Sequence, residues 1–270
     1  MGAVGLNWQV AGFGNFSSFG ETDMMLRDAN TGGFQVYDIA NNQITGTAFM
    51  GTVGLDWEVG GFGNFSSRGT SDMILRNANS GGLQVYDIDS NQITGSAFMG
   101  TVGLEWQISG FGNFSSMPGE TDMIMRNTKT GGLEVYDIAN NQITGAAFMG
   151  TVGLDWQVAS FGPLNGAGSS DMVLRNVNSG AFEVYNIANN QITDAALLGI
   201  VGLDWRLGGF AASSPSGSTG SSDDQPGSNS QLVQTMAGFG GGSGAADSLN
   251  TVVLGAETSQ QPLLMTPQHA

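Results

Sequence analysis

Hydrophobic and polar residues alternate in short runs along residues 51–99, and Gly, Asn, Asp or Ser bounds each run. Period-two alternation bounded by turn residues is typical of β-strands. No segment shows the 3.6-residue apolar period of an amphipathic helix. The pattern predicts an all-β protein, with strands in this stretch at residues 55–62, 72–77, 83–88 and 92–99.

The same pattern recurs as full units at about residues 2–50, 51–99, 100–149 and 150–198, with a partial fifth unit at 199–210. Units of this length with four strands match one blade of a β-propeller. Such a unit buries its faces only against its neighbours, so the units must stack. The predicted fold class is therefore all-β, with tandem four-stranded repeats in a β-propeller-like array of four full units plus a partial fifth.

The partial fifth unit leaves one strand without the rest of its blade. This strand begins near Trp205, the fifth copy of the repeated tryptophan. It could cap an open array, swap with a second chain to give a homodimer, or belong to an incomplete fifth blade. The sequence alone leaves these three alternatives open.

The composition changes after residue 210. Residues 211–230 are rich in Ser, Gly, Pro and Asp, which predicts a disordered linker. Residues 231–270 contain no Lys or Arg and only scattered apolar residues, which predicts a flexible C-terminal tail and a candidate secretion signal.

Charge and composition exclude several classes of partner. The formal net charge is −16 with seven Lys and Arg residues, whereas nucleic-acid binding needs many cations to replace phosphate counterions. No apolar run approaches the roughly 20 residues of a membrane helix, and residues 1–8 lack the pattern of a cleaved signal peptide. We expect no nucleic-acid partner, no membrane insertion and no cleaved N-terminal signal.

Catalytic groups are scarce along the chain. There is no Cys, and the single histidine, His269, is the next-to-last residue. The many serines therefore have no evident base to activate them, and an acid–base pair of carboxylates would have to recur in every unit. We predict that the protein is not an enzyme, with no catalytic residues, no cofactor and no metal ligands.

The pattern favours a repeated binding site, with equivalent sites where one unit meets the next. Each unit carries an acid or Asn before its Trp, and an Asp, an Arg and an Asn or Asp along its second predicted strand. Trp offers a flat apolar face to the C–H face of a sugar, and the polar side chains supply directional hydrogen bonds. The predicted glycan-binding residues are Asp23, Arg27, Asp56, Trp57, Asp72, Arg76, Asn77, Glu105, Trp106, Asp122, Arg126, Asn127, Asp155, Trp156, Asp171, Arg175, Asn176, Asp204 and Trp205.

The strings GFGNFSS at 61–67 and SDMILRN at 71–77, followed by Gly81 and Tyr86, resemble the FG-GAP/VCBS-type repeats of bacterial extracellular proteins. The resemblance covers residues 2–210. It implies β-propeller blades and a secreted or extracellular location. Many members of that group also carry a calcium loop between the first two strands.

The corresponding loop here, residues 64–72, keeps a single carboxylate, Asp72, and has Arg68 where an acid is expected. Calcium requires several oxygen ligands. The loop therefore leaves room only for weak calcium sites built from backbone oxygens.

The sequence thus predicts a secreted, multivalent, lectin-like protein whose partners are glycans or cell-surface carbohydrate. The alternatives are an extracellular structural or protein-interaction scaffold and a calcium-stabilised adhesin-type module. The repeated Trp could equally pack between units, and Asp72 with Arg76 could be a buried structural pair. Phe62, Phe65 and Phe98 are interpreted as packing residues.

Overall fold

The computed structural model describes residues 4–165 and 169–208, which form sixteen β-strands. The first strands of the four units are β1 (Trp8–Gly14), β5 (Trp57–Gly63), β9 (Trp106–Gly112) and β13 (Trp156–Gly162). The second strands are β2 (Asp23–Asp28), β6 (Asp72–Asn77), β10 (Asp122–Asn127) and β14 (Asp171–Asn176). The third strands are β3 (Gly33–Ala40), β7 (Gly82–Asp89), β11 (Gly132–Ala139) and β15 (Ala181–Ala188). The fourth strands are β4 (Gln43–Thr52), β8 (Gln92–Thr101), β12 (Gln142–Thr151) and β16 (Gln191–Ile200).

Each unit is one antiparallel sheet in which consecutive strands are neighbours. We number the sheets 1 to 4 along the chain. Two-residue turns join the third and fourth strands, as at Ser90 and Asn91, whose φ angles are 50° and 59°. Positive φ at both central residues is the geometry of a type I′ hairpin turn, which Asn tolerates well. The meander of each sheet therefore follows from local sequence.

The hydrophobic core lies between successive sheets. Strand contacts join sheet 1 to 2, 2 to 3 and 3 to 4, whereas no strand of sheet 1 contacts a strand of sheet 4 within the described residues. Between sheets 1 and 2, the ring of Phe16 meets the ring of Phe62 edge-on at 5.1 Å, and Met73 and Leu75 are fully buried. Each inner sheet is thus apolar on both faces.

A polar contact repeats at each junction between sheets. The side-chain amide of Asn91 in sheet 2 donates to Asp38 of sheet 1 at 2.7 Å. Asn141 donates to Asp87 at 2.5 Å, and Asn190 donates to Asp137 at 2.7 Å. The hairpin turn of one sheet is thereby tied to the third strand of the sheet before it.

The structure confirms the predicted fold class: all-β, with four tandem four-stranded units of propeller type. The predicted loop before Asp72 is also present, since β5 ends at Gly63 and β6 begins at Asp72. Among the described residues, no helix is long and apolar enough to cross a membrane. The predicted linker at 211–230 and tail at 231–270 lie outside the described residues.

Three local predictions need correction. β5 begins at Trp57 rather than 55, because Trp57 N–H donates to Gly54 O at 3.1 Å and closes a turn there. β8 continues to Thr101 rather than 99, because Gly100 adopts a φ of 119° that carries the strand through a register shift. Trp205 does not lie in a strand, because β16 ends at Ile200 and none follows among residues 201–208.

Candidate functional site

The aspartate that begins each second strand is a buried anchor for the preceding loop. Asp72 is fully buried and accepts hydrogen bonds from the N–H of Ser66 at 2.7 Å and of Ile88 at 3.3 Å. Burial raises the pKa of Asp72, and these hydrogen bonds oppose the shift. The equivalents Asp23, Asp122 and Asp171 hold their loops in the same way. These carboxylates face the backbone rather than the solvent.

The polar residue that ends each second strand organises the next turn. Asn77 Oδ1 accepts the N–H groups of Asn79 and Ser80, and its amide donates to Asp56 at 2.6 Å. Asn176 and Asp155 repeat this bond at 2.6 Å. In sheet 3, Asn127 accepts the equivalent backbone N–H groups. Asp56 is exposed, so one side of this pair faces the solvent.

The repeated arginine ties its sheet to the next. Arg76 donates to Gly103 O at 3.2 Å, and Arg126 donates to Gly153 O at 2.7 Å and also reaches Trp156 O. Burial lowers the pKa of Arg126. Arg27 and Arg175 make the same bond to Gly54 O and Gly202 O, and each guanidinium also lies over a phenylalanine ring. The arginine of each unit therefore donates to a backbone carbonyl in the turn that follows the fourth strand of that unit.

The predicted residues thus differ in their surroundings: the second-strand residues bond to backbone groups, the inner tryptophans are half-buried, and the residues near Trp205 are exposed. Asp72 and Arg76 do not pair with each other, because each has backbone partners of its own. The tryptophans of the inner sheets are half-buried against the core, as Trp57 is between sheets 1 and 2. Trp106, Trp156 and the acidic Glu105 and Asp155 are likewise partly covered, whereas Asp204 and Trp205 are exposed.

An exposed phenylalanine recurs on the fourth strands and corrects one prediction. Phe98, interpreted from the sequence as a packing residue, is 62% exposed, whereas Phe65 is fully buried and Phe62 packs between sheets as predicted. The equivalents Phe49 and Phe148 are 62% and 65% exposed. The outer strand lies at the margin of its sheet, where the neighbouring sheet covers it least. The repeat therefore displays the same aromatic ring three times.

Each exposed phenylalanine lies beside a glycine of the third strand. A Cβ at Gly82 would lie 3.2 Å from the Phe98 ring and 3.6 Å from the Trp57 ring, so the missing side chain lets both rings pack over the backbone. Gln84 is paired directly with Phe98 across the two strands and shares its face of the sheet. We call Trp57, Gly82, Gln84 and Phe98 the aromatic platform of sheet 2.

The aromatic platform has close equivalents in sheets 1 and 3 but not in sheet 4. Its counterparts are Trp8, Gly33, Gln35 and Phe49 in sheet 1, and Trp106, Gly132, Glu134 and Phe148 in sheet 3. In sheet 4, Ala181 replaces the glycine and Leu197 replaces the phenylalanine. Three sheets therefore present an exposed phenylalanine at this position, and sheet 4 presents Leu197 instead.

The signal for the platform was present in the sequence. Gln92, Thr94, Ser96 and Phe98 alternate with Ile93, Ala97 and Met99, which places Phe98 on the same face as three polar residues. All four side chains of the first series are exposed. The aromatic character of Phe98 led to its interpretation as core, although its position in the alternation indicated the solvent.

Arg126 also borders a groove of about 450 Å³ between sheets 3 and 4. Gln107, Thr128, Leu154 and Gln157 contribute to its walls. The groove lies where two units meet. Within residues 4–165 and 169–208, no cluster of three or more His, Asp or Glu side chains is arranged to hold a metal ion.

No protein-family model matches this chain, and no curated protein matches it. Its fold is similar to part of "Dihydro-heme d1 dehydrogenase NirN in complex with DHE", at 11% identity and a TM-score of 0.40 over 65% of this chain and 35% of that one. It is also similar to part of a Photorhabdus luminescens Tc holotoxin pore, at 11% identity and a TM-score of 0.47 over 67% of this chain and 10% of that one. The chain thus spans about a third and a tenth of these two proteins, and likeness at this level carries no functional argument.

Proposed function

We propose that this chain is a non-enzymatic, multivalent, lectin-like protein that binds glycans through its aromatic platforms. The observation that carries the proposal is the solvent exposure of Phe49, Phe98 and Phe148, three equivalent rings each beside a Gln or Glu. An exposed ring stacks on the apolar C–H face of a sugar, and the adjacent amide or carboxylate can bond to its hydroxyls. Repetition makes several weak contacts act together on one glycan surface.

The polar residues predicted from the sequence support this proposal indirectly. Asp72 fixes the loop before the second strand, Asn77 orders the turn that leads to Gly82, and Arg76 fixes the spacing to the next sheet. These contacts hold each platform rigidly at a repeated interval. Ordering a side chain on binding costs free energy, so a preorganised ring binds a weak ligand better than a mobile one.

The triple variant Phe49→Ala/Phe98→Ala/Phe148→Ala tests the proposal on a glycan array. We expect binding of the wild type to at least one class of immobilised glycan, and its loss in the triple variant. The single variant Phe98→Ala should lower the apparent affinity by about tenfold to a hundredfold, because it removes one of three linked contacts. These rings are exposed, so truncation leaves no buried cavity.

Leu197→Ala is the matched control, since Leu197 occupies the same position of sheet 4 without an aromatic ring and is 62% exposed. It should leave glycan binding unchanged. A folded wild type that binds no glycan, or a triple variant that binds as the wild type does, would contradict the proposal. In that case the extracellular protein-interaction scaffold becomes the better account.

We also propose the FG-GAP/VCBS-type kinship and the secreted or extracellular location that the repeated strings imply.

We propose no calcium role for the loop at 64–72. Both oxygens of Asp72 already accept backbone N–H groups, and the loop supplies no second carboxylate, whereas calcium requires several oxygen ligands. A melting temperature that rises with calcium and falls with a chelator would argue for the calcium-stabilised module instead.

A further inference from the structure

The first face of sheet 1 exposes residues that are covered in every later sheet. Val10 and Phe13 are each 57% exposed. Their equivalents in sheet 2, Val59 and Phe62, pack against the buried core between sheets 1 and 2. Sheet 1 thus carries one half of such an interface, and within the described residues no strand of another sheet covers it.

The last face of sheet 4 exposes part of the opposite half, while Val173 and Val184 on this face are only 4% and 8% exposed. Leu198 is 60% exposed, whereas its equivalent in sheet 3, Met149, is only 9% exposed because sheet 4 covers it. Leu164 is 43% exposed and stands where Phe16 and Phe114 are buried in sheets 1 and 3. A largely apolar groove of about 570 Å³ lies on this face, with Leu164, Val173, Phe182, Val184 and Leu198 among its lining residues.

We propose that the occupant of this face is sheet 1 of a second copy of the same chain. The two exposed faces are the two halves of a junction that the chain builds three times within itself. In each internal junction an edge-on pair of rings forms at 5.1–5.3 Å, as between Phe16 and Phe62. Between two copies, Phe13 of one takes the place of Phe62 and meets Leu164 of the other.

The polar contact of the junction is also available at both ends. Asn42 of sheet 1 is exposed and corresponds to Asn91, Asn141 and Asn190, which donate to an aspartate of the preceding sheet. In sheet 4 that aspartate is replaced by Asn186, whose side-chain oxygen can still accept. Its register partner is Asp194, where sheet 3 has Gly145 opposite Asp137. In sheet 4 the carboxylate thus lies on the neighbouring strand, beside the position that Asn42 of the second copy would reach.

Residues 205–208 correspond in sequence to the beginning of a following first strand, so an incoming sheet 1 must displace them. Their displacement breaks no sheet, because residues 201–208 form no strand and all but Val201 are exposed. Leu207 lines the same groove and is 46% exposed. On association, the face of sheet 1 of the second copy would replace Leu207 in this groove.

A head-to-tail junction joins different surfaces of the two copies, so it continues into a chain or closes into a ring of copies. This gives a test by complementation. Phe13→Asp disables sheet 1 and leaves the face of sheet 4 intact, whereas Leu198→Asp does the reverse. We expect wild-type protein to associate with rising concentration in sedimentation velocity, and each variant alone to sediment as a monomer.

An equimolar mixture of Phe13→Asp and Leu198→Asp should form a dimer and nothing larger, because one functional junction remains. Met117→Asp is the control, since Met117 is 55% exposed in a loop of the third unit and belongs to neither sheet 1 nor sheet 4, so this variant should associate as the wild type does. Circular dichroism checks that each variant is folded. The milder pair Phe13→Ser and Leu198→Ser replaces any variant that is not.

Three results would overturn the proposal. The first is a wild type that stays monomeric across the whole concentration series, as it would if the end faces met within one chain. The second is a mixture that stays monomeric. The third is loss of association in Phe13→Asp but not in Leu198→Asp, since that pattern indicates a symmetric contact between two copies of sheet 1. Glycan binding by monomeric Phe13→Asp separates this proposal from the proposed function, because the platforms do not include Phe13.

Discussion

The side-chain amide of Asn7 donates a 2.5 Å hydrogen bond to the carboxylate of Asp28, and sheet 2 makes the same bond with the two residue types exchanged. There, Asn77 donates to Asp56 at 2.6 Å. In both sheets the residue that ends the second strand also accepts two backbone N–H groups of the following turn. In sheets 1, 2 and 4 this pair of positions thus holds one amide and one carboxylate, in either order.

Exchange of the pair in sheet 2 tests this relationship. Asn77→Asp places two carboxylates together and should lower the free energy of unfolding by about 1–3 kcal/mol, because it replaces a charge-assisted hydrogen bond with repulsion. Adding Asp56→Asn recreates the order of sheet 1 and should recover most of the loss. Urea denaturation of the two single variants and the double variant gives the coupling, expected at about 1–2 kcal/mol. If the two single effects simply add, the two residues do not act as a pair.

The arginine that crosses between sheets should stabilise the array. Arg126→Gln removes the charged donor to Gly153 O and should lower the free energy of unfolding by about 1–3 kcal/mol. Arg68→Gln is the control, because Arg68 is 68% exposed and its carboxylate partner, Asp87, lies 3.6 Å away. That change should cost under about 1 kcal/mol. Equal effects of the two variants in urea denaturation would contradict the inter-sheet role.

Two glycines of the second unit allow the cost of backbone strain to be measured separately from the cost of steric overlap. Gly69 and Gly81 have φ angles of 83° and 73°, so alanine at either costs about 1–2 kcal/mol. A Cβ at Gly81 would also lie 1.9 Å from Val102 O, whereas a Cβ at Gly69 meets nothing within 4 Å. We expect Gly81→Ala to destabilise the protein by about 1–3 kcal/mol more than Gly69→Ala in thermal or urea unfolding. Similar losses would mean that the turn at Gly81 relaxes freely.

The tyrosine of sheet 3 should titrate at unusually high pH. Burial, together with the nearby Glu134 carboxylate, raises the pKa of Tyr136 from 10.0 to about 12. The neutral phenol is favoured in the folded state, so its contribution to stability is complete below pH 10 and is lost as the pH rises towards 12. Glu134→Gln should lower this pKa, because it removes the negative charge beside the phenol.

The ultraviolet absorbance of phenolate measures this pKa, as the difference between the titrations of wild type and Tyr136→Phe. Glu183→Gln is the control, since Glu183 accepts a hydrogen bond from Tyr185 in the next sheet and should leave Tyr136 unchanged. A Tyr136 that titrates near 10 in the folded wild type would show that water reaches the phenol.

Local pattern was sufficient to predict the strands and turns, because alternation and turn residues act over a few positions. Asp72 and Asn77 bound β6 as predicted. The pattern did not reveal the partners of the same side chains. Asp72 and Arg76 lie on one strand, but their partners are a loop of the same unit and a turn of the next.

The period, the turn residues and the alternation along the chain were enough to predict the repeat, the four strands of each unit and the need for the units to stack. Only packing between units decided how much of each repeated side chain is covered. Phe65 is sealed between sheets, whereas Phe98 stays 62% exposed. The alternation along the fourth strand indicates the face on which Phe98 lies, but its exposed area depends on how far the neighbouring sheet extends over that strand.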